Sequence, residues 1–280
     1  METAYLFACG LGAVLWITCF VARPDLRPLQ LGMSLIGLPL AFSDLFYVPK
    51  YWRPETMGHI PVGIEGFLFS FEAAGVCAVI YLVVSRRRTE FIDGHTLARE
   101  QPIAAWFPLD RLFTFRTLVA FIPLPVSAIV SLVFQTNLEW GLYAGLLVAI
   151  LVTVLLRRDL AIPAVVAALA FTPVYTAALL IWIAAYPGVH DWFTLWRMPH
   201  WFLLGVPLTE IVFGGLFAAF WTSLYPMVFV VRYVKMEIPA DTIDQQLRRR
   251  RRSRLPRGRA NRGWCERGPP RRDPDTPNRS

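Results

Sequence analysis

The sequence is poor in charged residues and in cysteine. Only 17% of its 280 residues are charged and 55% are hydrophobic, which excludes an ordinary soluble domain, where about a quarter of the residues are charged. Three of the four cysteines lie inside apolar runs and the fourth, Cys265, lies near the C-terminus. Cysteine placement therefore predicts no disulfide framework.

Motifs of common cofactor chemistry are also missing. The sequence contains no DxxxD run to hold magnesium and a diphosphate, which counts against a prenyltransferase. The last apolar run has no lysine for a retinal Schiff base. His59, His190 and His200 show no metal-ligand spacing and are interpreted as loop surface. We therefore predict no metal site and no cofactor.

What the sequence does contain is seven apolar runs separated by short charged breaks. Each run is long enough to cross roughly 30 Å of hydrocarbon at about 1.5 Å per residue. The runs are 4–21, 29–45, 64–84, 118–134, 138–156, 161–185 and 206–231. The predicted fold class is therefore all-α, a polytopic membrane protein with seven transmembrane helices.

The basic residues alternate between the segments that join the runs. With the N-terminus outside, 25 of the 28 lysines and arginines fall in inner segments, and only Lys50, Arg53 and Arg197 fall in outer ones. Positive residues concentrate on the cytoplasmic side of membrane proteins. The sequence thus predicts a protein of the cell membrane with its N-terminus outside and its C-terminus in the cytoplasm.

The third and seventh runs share an order of residues: proline, glutamate, aromatic and small residues, then tyrosine. The glutamate and tyrosine are Glu65 and Tyr81 in the third run and Glu210 and Tyr225 in the seventh. Two three-span units that point the same way need one extra crossing between them, so we predict two parallel repeats and a linking helix. The predicted boundaries within a membrane domain of residues 1–231 are 1–84 for repeat one, 85–134 for the linking loop and helix, and 138–231 for repeat two.

Four carboxylates on the spans or at their ends are the candidate catalytic groups. A charged residue at the bilayer centre costs roughly 2.5 to 3.5 kcal/mol on insertion scales, so its presence indicates a function. The candidates are Asp44, Glu65, Glu72 and Glu210. A structural interpretation of Glu65 and Glu210 stays open, because the helix dipole stabilises an acid in a first turn and proline is ordinary at helix starts.

Aromatic residues near these acids are predicted to line a substrate site. Ring faces stabilise cations and an acid gives or accepts a proton, so the combination suits an apolar, polarisable substrate. The residues are Phe69, Phe213, Phe217, Trp221 and Tyr225. Packing alone is the alternative interpretation of aromatic residues at helical spacing.

Residues 232–280 form a basic tail. It holds 15 of the 28 lysines and arginines, with an unbroken arginine run over 248–252. This composition, with frequent proline and glycine, predicts disorder. On the cytoplasmic side of a membrane anchor we predict attraction of the tail to anionic lipid, and no binding of nucleic acid.

Three stretches of the sequence resemble the membrane-embedded lycopene cyclase family, which occurs as two small subunits or as one fused seven-span chain. They are SDLFYVPKYW at 43–52, GIEGFLFSF at 63–71 and PLTEIVFG at 207–214. The resemblance implies an enzyme that closes the ends of a linear carotenoid into rings through protonation, a carbocation and proton loss, without net redox change. It implies Glu65 and Glu210 as the proton-handling acids and Pro61 and Pro207 as the residues that shape their helix starts. A carotenoid or related polyprenoid is the implied substrate, and other enzymes of carotenoid synthesis are the expected protein partners.

The motifs depart from the family at one position in each half. The family tends to place two adjacent acids in each motif, whereas here Gly66 follows Glu65 and Thr209 precedes Glu210. A proton-coupled membrane transporter stays open as an alternative, because intramembrane acids and a repeat suit it equally well. A non-catalytic membrane protein that binds a carotenoid or polyprenoid is the other alternative.

Overall fold

Helices dominate the structure. The computed structural model describes residues 3–48, 50–92 and 116–236. Within these ranges seven helices are long and apolar enough to cross a membrane, as the sequence predicts. They are α1 (Thr3–Ala22), α2 (Pro24–Tyr47), α3 (Ile64–Val84), α4 (Arg116–Phe134), α5 (Leu138–Leu156), α6 (Arg158–Ala185) and α7 (Leu208–Phe229).

Helix α2 is the least regular of these helices. A 3₁₀ turn at Pro24–Leu26 leads into an α-helix at Arg27–Gly37, which changes to a 3₁₀ segment at Leu38–Ser43 and ends in a short turn at Asp44–Tyr47. Pro39 accounts for the change, because a proline has no N–H with which to continue the α-helical hydrogen bonds. The irregular segment brings the last turn of α2, with Asp44, to the start of α3.

Helices α3 and α7 lie at the centre of the helix bundle. Helix α3 packs against α1, α2, α6 and α7, and α7 also packs against α5 and α6. These two helices are the most buried of the seven, whereas only about a fifth of the residues in the apolar stretches of α1, α4 and α6 are buried. So large an exposed apolar surface is unfavourable in water and is compatible with an integral membrane protein.

Short strands follow the two central helices, so the structure is not purely α-helical. Strand β1 (Arg87–Phe91), after α3, pairs antiparallel with β4 (Val231–Lys235), after α7, and a second pair joins β2 (Phe202–Leu203) to β3 (Val206–Pro207). The all-α prediction is confirmed in that helices dominate the structure, and the two short strand pairs are an addition to it. The predicted tail boundary at residue 232 falls inside β4, and the compact unit ends at Met236. The rest of the predicted tail lies outside the described residues.

An arginine connects the turn after α1 to the end of α3. Arg23 makes two hydrogen bonds with the carboxylate of Asp25, at 2.9 and 2.7 Å. It also donates to the backbone carbonyls of Leu82 and Arg87, each at 2.7 Å. The arginine thereby satisfies a carbonyl that the last turn of α3 leaves without a helical partner, and connects it to the first residue of β1.

The turn after α5 repeats this arrangement at the end of α7. Arg157 makes two hydrogen bonds with Asp159, at 2.9 and 2.7 Å, and donates to the carbonyls of Pro226 and Val231 at 3.1 and 2.8 Å. Like the two carbonyls that Arg23 binds, these carbonyls are five residues apart. We call this end of the bundle, marked by Arg23 and Arg157, the arginine end.

Candidate functional site

Glu65 and Glu210 lie in the first turns of α3 and α7, and we call this end of the bundle the acid end. Glu65 is fully buried. Its Oε1 accepts a hydrogen bond from the backbone N–H of Met57 at 2.7 Å, while its Oε2 is buried without a hydrogen-bond partner in the described parts of the chain. Because a buried polar atom without a partner is costly, Glu65 is an acid that the surrounding protein satisfies on one oxygen only.

Glu210 is held by two tyrosines. Its Oε1 accepts a hydrogen bond from the Tyr51 hydroxyl at 2.7 Å, and its Oε2 accepts one from the Tyr175 hydroxyl at 2.8 Å. A phenol has a single proton to donate, so a carboxyl group that accepts two of them needs no proton of its own. Gly214, one turn further along α7, makes room for the Tyr175 ring, because a Cβ there would lie 2.5 Å from its Cδ1.

Tyr51 belongs to a connecting segment that covers the acid end. Its carbonyl accepts hydrogen bonds from the N–H groups of Thr194 and Leu195 at 2.9 and 3.1 Å, and the N–H of Arg53 donates to the Trp192 carbonyl at 2.7 Å. The segment before α3 is therefore joined to the segment before α7. Burial, assisted by the nearby carboxylate charge, raises the pKa of the Tyr51 phenol well above its usual value, so this phenol remains a donor at neutral pH.

Asp44, in the last turn of α2, is buried next to α3. Its carboxylate is hydrogen-bonded to the Trp52 side chain. A Cβ on Gly66 would lie 2.9 Å from Asp44 Oδ2, so the Asp44 carboxylate occupies the space that a side chain at this position would need. The carboxylate of Asp44 on α2 therefore lies directly beside Gly66 on α3.

Two residues of α1 complete the group at the acid end. The Tyr5 hydroxyl lies within electrostatic range of Asp44, Glu65 and Glu210. The Cys9 thiol donates a weak hydrogen bond to the Glu65 carbonyl at 3.4 Å. The structure therefore brings together three of the four carboxylates that the sequence predicts as catalytic.

Glu139 is a further buried carboxylate at this end and is not among the four acids predicted from the sequence. It lies in the first turn of α5, where its backbone N–H donates to the Asn137 side chain at 3.0 Å. Its side chain is hydrogen-bonded to Tyr143 and lies within electrostatic range of Glu210. Tyr143 donates to the Thr209 carbonyl at 2.8 Å, which ties α5 to the start of α7.

Comparison of the chain with family models, with curated proteins and with solved structures finds no match. The resemblance to lycopene cyclases therefore stays a prediction from three stretches of sequence. The buried acids and their hydrogen bonds provide an independent line of argument about function.

Glu72 lies two turns further along α3, away from the group at the acid end. Its Oε2 is buried and has no hydrogen-bond partner within the described ranges. Gly12 of α1 lies against it, and a Cβ on this glycine would collide with the Glu72 carboxylate. The Cys9 thiol is within electrostatic range of both Glu65 and Glu72, so both acids of α3 face α1.

The predicted substrate-binding rings are mostly stacked inside the bundle. Along α7 the ring centres of Phe213 and Phe217 are 5.5 Å apart, and those of Phe217 and Trp221 are 5.3 Å apart. Tyr225 contacts the next aromatic ring of α7 instead. Phe217 and Trp221 belong to the main hydrophobic core, whereas Phe69 packs against the aromatic cluster at the acid end. Phe69 and Phe213 are thus the predicted rings nearest to the acids.

The two central helices begin with different residues. The N-cap residue of α3 is Gly63, with Pro61 two positions before it, and that of α7 is Pro207. Glu65 is consequently the second residue of α3, whereas Glu210 is the third residue of α7. Counted from the helix starts, the residue of α7 that corresponds to Glu65 is the threonine before Glu210. The two acids therefore differ by one position in the order of residues within their helices.

No group of three or more His, Cys, Asp or Glu side chains in residues 3–48, 50–92 and 116–236 is arranged to hold a metal ion. His59 and His190 lie in connecting segments, where the His190 Nδ1 is 3.9 Å from the Asp191 carboxylate. The chemical groups concentrated at the acid end are carboxyls and phenols, which suit proton transfer and cation stabilisation.

Proposed function

We propose that the chain is an integral membrane enzyme that isomerises an apolar polyene by acid catalysis, as lycopene cyclases do when they close carotenoid ends into rings. The observation that most supports this is the unequal environment of two buried acids. Glu65 has one unpartnered oxygen, whereas Glu210 accepts hydrogen bonds from two phenols. Such a difference suits one acid that gives a proton and one carboxylate that faces positive charge.

In the proposed reaction the Glu65 carboxyl gives its proton to a terminal carbon–carbon double bond. A neighbouring double bond attacks the resulting carbocation, which forms the ring bond and leaves the positive charge on the ring. Loss of a ring proton to the Glu210 carboxylate restores a double bond, and this proton must return to Glu65 before the next turnover. Substrate and product are isomers, so the reaction needs neither oxidant nor reductant.

Neighbouring helices provide second carboxylates close to the positions where the cyclase motifs have them. Asp44 occupies the space beside Gly66, and Glu139 lies within electrostatic range of Glu210. The glutamate of each motif therefore has one further carboxylate near it, which another helix contributes. This arrangement supports activity despite the two departures from the family pattern.

We also propose that the bundle consists of two parallel repeats, α1 to α3 and α5 to α7, joined by α4. The matched contacts of Arg23 and Arg157 support this, as does the packing of α3 and α7 against both other helices of their own unit. The distribution of basic residues supports insertion in the cell membrane with the acid end outside. Connecting segments cover the acids on that side, so an apolar substrate would enter from the membrane.

The proposal is tested by removing the proton from each acid while keeping its shape. Glu65→Gln and Glu210→Gln are expected to lower ring formation from lycopene by ~10² to 10⁴-fold in a lycopene-accumulating host. Glu55→Gln serves as the control, because Glu55 is an exposed carboxylate in the connecting segment before α3, and it should leave the rate unchanged. Pigment extraction and chromatography measure the acyclic, one-ringed and two-ringed products.

Two results would contradict the assignment. If both glutamine variants form rings at the parental rate, the two acids do not carry the proton. If the parent forms no rings but retains lycopene through purification, the chain is a polyprenoid-binding protein and not a cyclase.

A second candidate function, proton-coupled transport, is favoured by Glu72. This buried acid lies inside the bundle, away from the acid end, and the cyclisation scheme does not use it. A proton carrier in proteoliposomes would show substrate-dependent acidification that Glu72→Gln abolishes. Retention of ring formation in the same variant, without any proton flux in the parent, would favour the cyclase.

A further inference from the structure

A pocket of about 200 Å³ lies at the arginine end, opposite the acids. Its polar lining includes Tyr81 at the end of α3, Arg87 on β1 and Arg232 on β4. In the register of the strand pair Arg87 is opposite Lys235 and Arg232 is opposite Glu90, so the two arginines start from opposite faces of the pair. Both nevertheless line the pocket, although they are far apart in the sequence. The pocket has no part in the proposed reaction.

Within residues 3–48, 50–92 and 116–236, both arginines have donors that no protein group accepts. Arg87 donates one N–H to the Tyr233 carbonyl at 3.1 Å, and its guanidinium lies 5.9 Å from the centre of the Tyr81 ring. Arg232 has a long ion pair with Glu90 at 3.5 Å, while its buried Nε has no partner in the part of the chain that the structure describes. Guanidinium groups with free donors are suited to phosphate oxygens.

The acidic residue in the pocket is already neutralised. Asp159 lines the pocket, but both of its oxygens accept hydrogen bonds from Arg157, at 2.9 and 2.7 Å. This pair carries no net charge. Among the described residues that line the pocket, the two arginines of the strands therefore give it a positive character, which the ion pair of Arg232 with Glu90 partly offsets.

The pocket continues into an exposed apolar surface. Ile162, at the start of α6, lines the pocket, and it shares a helix face with Val165 and Leu169. These side chains are 70%, 58% and 71% exposed. A ligand with a phosphate at one end and an apolar chain at the other would match both surfaces at once.

We propose that this pocket binds the phosphate group of an anionic phospholipid, with the acyl chains along the exposed face of α6. The pocket lies where α3 and α7 end and α6 begins, which is the depth of the lipid phosphates when these helices cross a bilayer. This inference depends on membrane insertion and not on the cyclase reaction.

The test measures thermal unfolding of the purified full-length chain in detergent while short-chain phosphatidylglycerol is titrated. We expect a saturable rise of the midpoint in the parent and an apparent affinity about ten- to a hundredfold weaker in Arg232→Gln, since charge-assisted hydrogen bonds are lost. Arg88→Gln is the matched control, because Arg88 is exposed on the same strand pair and does not line the pocket. Arg87→Gln should resemble Arg232→Gln.

The remaining arms separate the lipid from other anions. Phosphatidylcholine with the same acyl chains should give a much smaller rise, and inorganic phosphate alone should give none at the same concentration. If inorganic phosphate raises the unfolding midpoint as much as the lipid does, the pocket is a free-phosphate site. If Arg88→Gln and Arg232→Gln weaken the apparent affinity for the lipid equally, the attraction is diffuse. Either result overturns the proposal. The arginine-rich segment after residue 236 is the same in all variants, so its contribution cancels. Because the side chain of Arg232 is partly exposed, the unliganded midpoint of its variant is expected to match that of the parent.

Discussion

At the scale of single residues, tyrosine hydroxyls determine how each buried acid is held. Glu210 accepts hydrogen bonds from Tyr51 and Tyr175. Glu65 has a single backbone N–H as its partner and one oxygen without any in the described ranges. Two acids with similar sequence surroundings therefore have different hydrogen-bond environments, and the proposed reaction assigns them different roles.

This difference predicts the effect of removing the phenols one at a time. Tyr51→Phe and Tyr175→Phe each take one donor from the buried Glu210 carboxylate, which leaves an oxygen unsatisfied at a cost of about 1 to 3 kcal/mol. We expect ring formation to fall by roughly 10- to 100-fold, because the carboxylate is less well stabilised and less well oriented. Rates of lycopene cyclisation in isolated membranes measure the effect.

Tyr186→Phe is the control for these variants. Tyr186 follows α6 and contacts the Phe7 ring, and it does not touch Glu210. Its loss of a hydroxyl should leave cyclisation unchanged. Equal rates in all three phenylalanine variants would show that the phenols do not support the reaction.

Three carboxylates of the acid end, Asp44, Glu65 and Glu210, are predictable from the sequence, whereas Glu139 and the phenol partners are not. A charged residue in an apolar run is rare, so Glu65, Glu72 and Glu210 stand out. Tyr175 is a tyrosine among apolar residues of a long helix, where packing is its ordinary role. Glu139 follows a helix cap, where an acid is common for structural reasons. Only the packing of helices distant in the sequence shows that these residues belong to one site.

At the scale of helices and turns, the two arginine contacts repeat with the same geometry. Arg23 and Arg157 have backbone angles φ/ψ of −133°/78° and −137°/78°, and a 3₁₀ turn follows each of them. The sequences Arg-Pro-Asp-Leu at 23–26 and Arg-Arg-Asp-Leu at 157–160 carry this signal. The Arg-x-Asp-Leu pattern was available in the sequence as evidence for a repeat, but four residues are too short to be recognised without the contacts.

Arg157 is expected to contribute strongly to stability because its side chain is only 1% exposed. Arg157→Gln leaves the carbonyls of Pro226 and Val231 without their donors and Asp159 without its ion pair. Since each buried unsatisfied group costs about 1 to 3 kcal/mol, we expect the free energy of unfolding to fall by about 2 kcal/mol or more. Thermal unfolding in detergent measures this loss.

Arg158→Gln is the matched control, because Arg158 is the exposed neighbour of Arg157. Its substitution should change the midpoint little. If Arg157→Gln unfolds at the same temperature as Arg158→Gln, the hydrogen bonds at the end of α7 do not stabilise the bundle.

The pairing of β1 with β4 could not be predicted from the sequence. Strands β1 and β4 are five residues each and lie directly after apolar spans, so their charged residues look like ordinary flanking segments. In β4 the alternation is nevertheless present, since Val231 and Tyr233 are buried and Arg232 between them is partly exposed. Pairing between segments more than 100 residues apart leaves no local signal in either strand alone.

At the scale of the whole molecule, the seven long helices match the seven apolar runs of the sequence, and small residues contribute to the packing of the two central helices. Apolar runs must be long enough to cross the hydrocarbon, which is why all seven helices are predictable. Helices α3 and α7 contain Gly75 and Gly214, where a Cβ would collide with or press against groups of a neighbouring helix. Small residues allow helices to approach closely. Gly141 and Gly145 give α5 similar contacts, so the glycines permit the central packing of α3 and α7 but do not by themselves determine it.

The proposed orientation in the membrane predicts which segments an external reagent can reach. Cysteine variants are prepared with Cys265→Ser, because the other three cysteines are buried. Trp201→Cys lies in the exposed segment before α7, and Arg88→Cys lies exposed on β1 at the opposite end of the bundle. With the acid end outside, an impermeant maleimide should label Trp201→Cys in intact cells and Arg88→Cys only after permeabilisation. The reverse pattern would show that the orientation is inverted, with the same spans. Three spans, α4 to α6, separate the two sites, so they should lie on opposite sides of the membrane. Labelling of both sites in intact cells would therefore show that the seven-span topology is wrong.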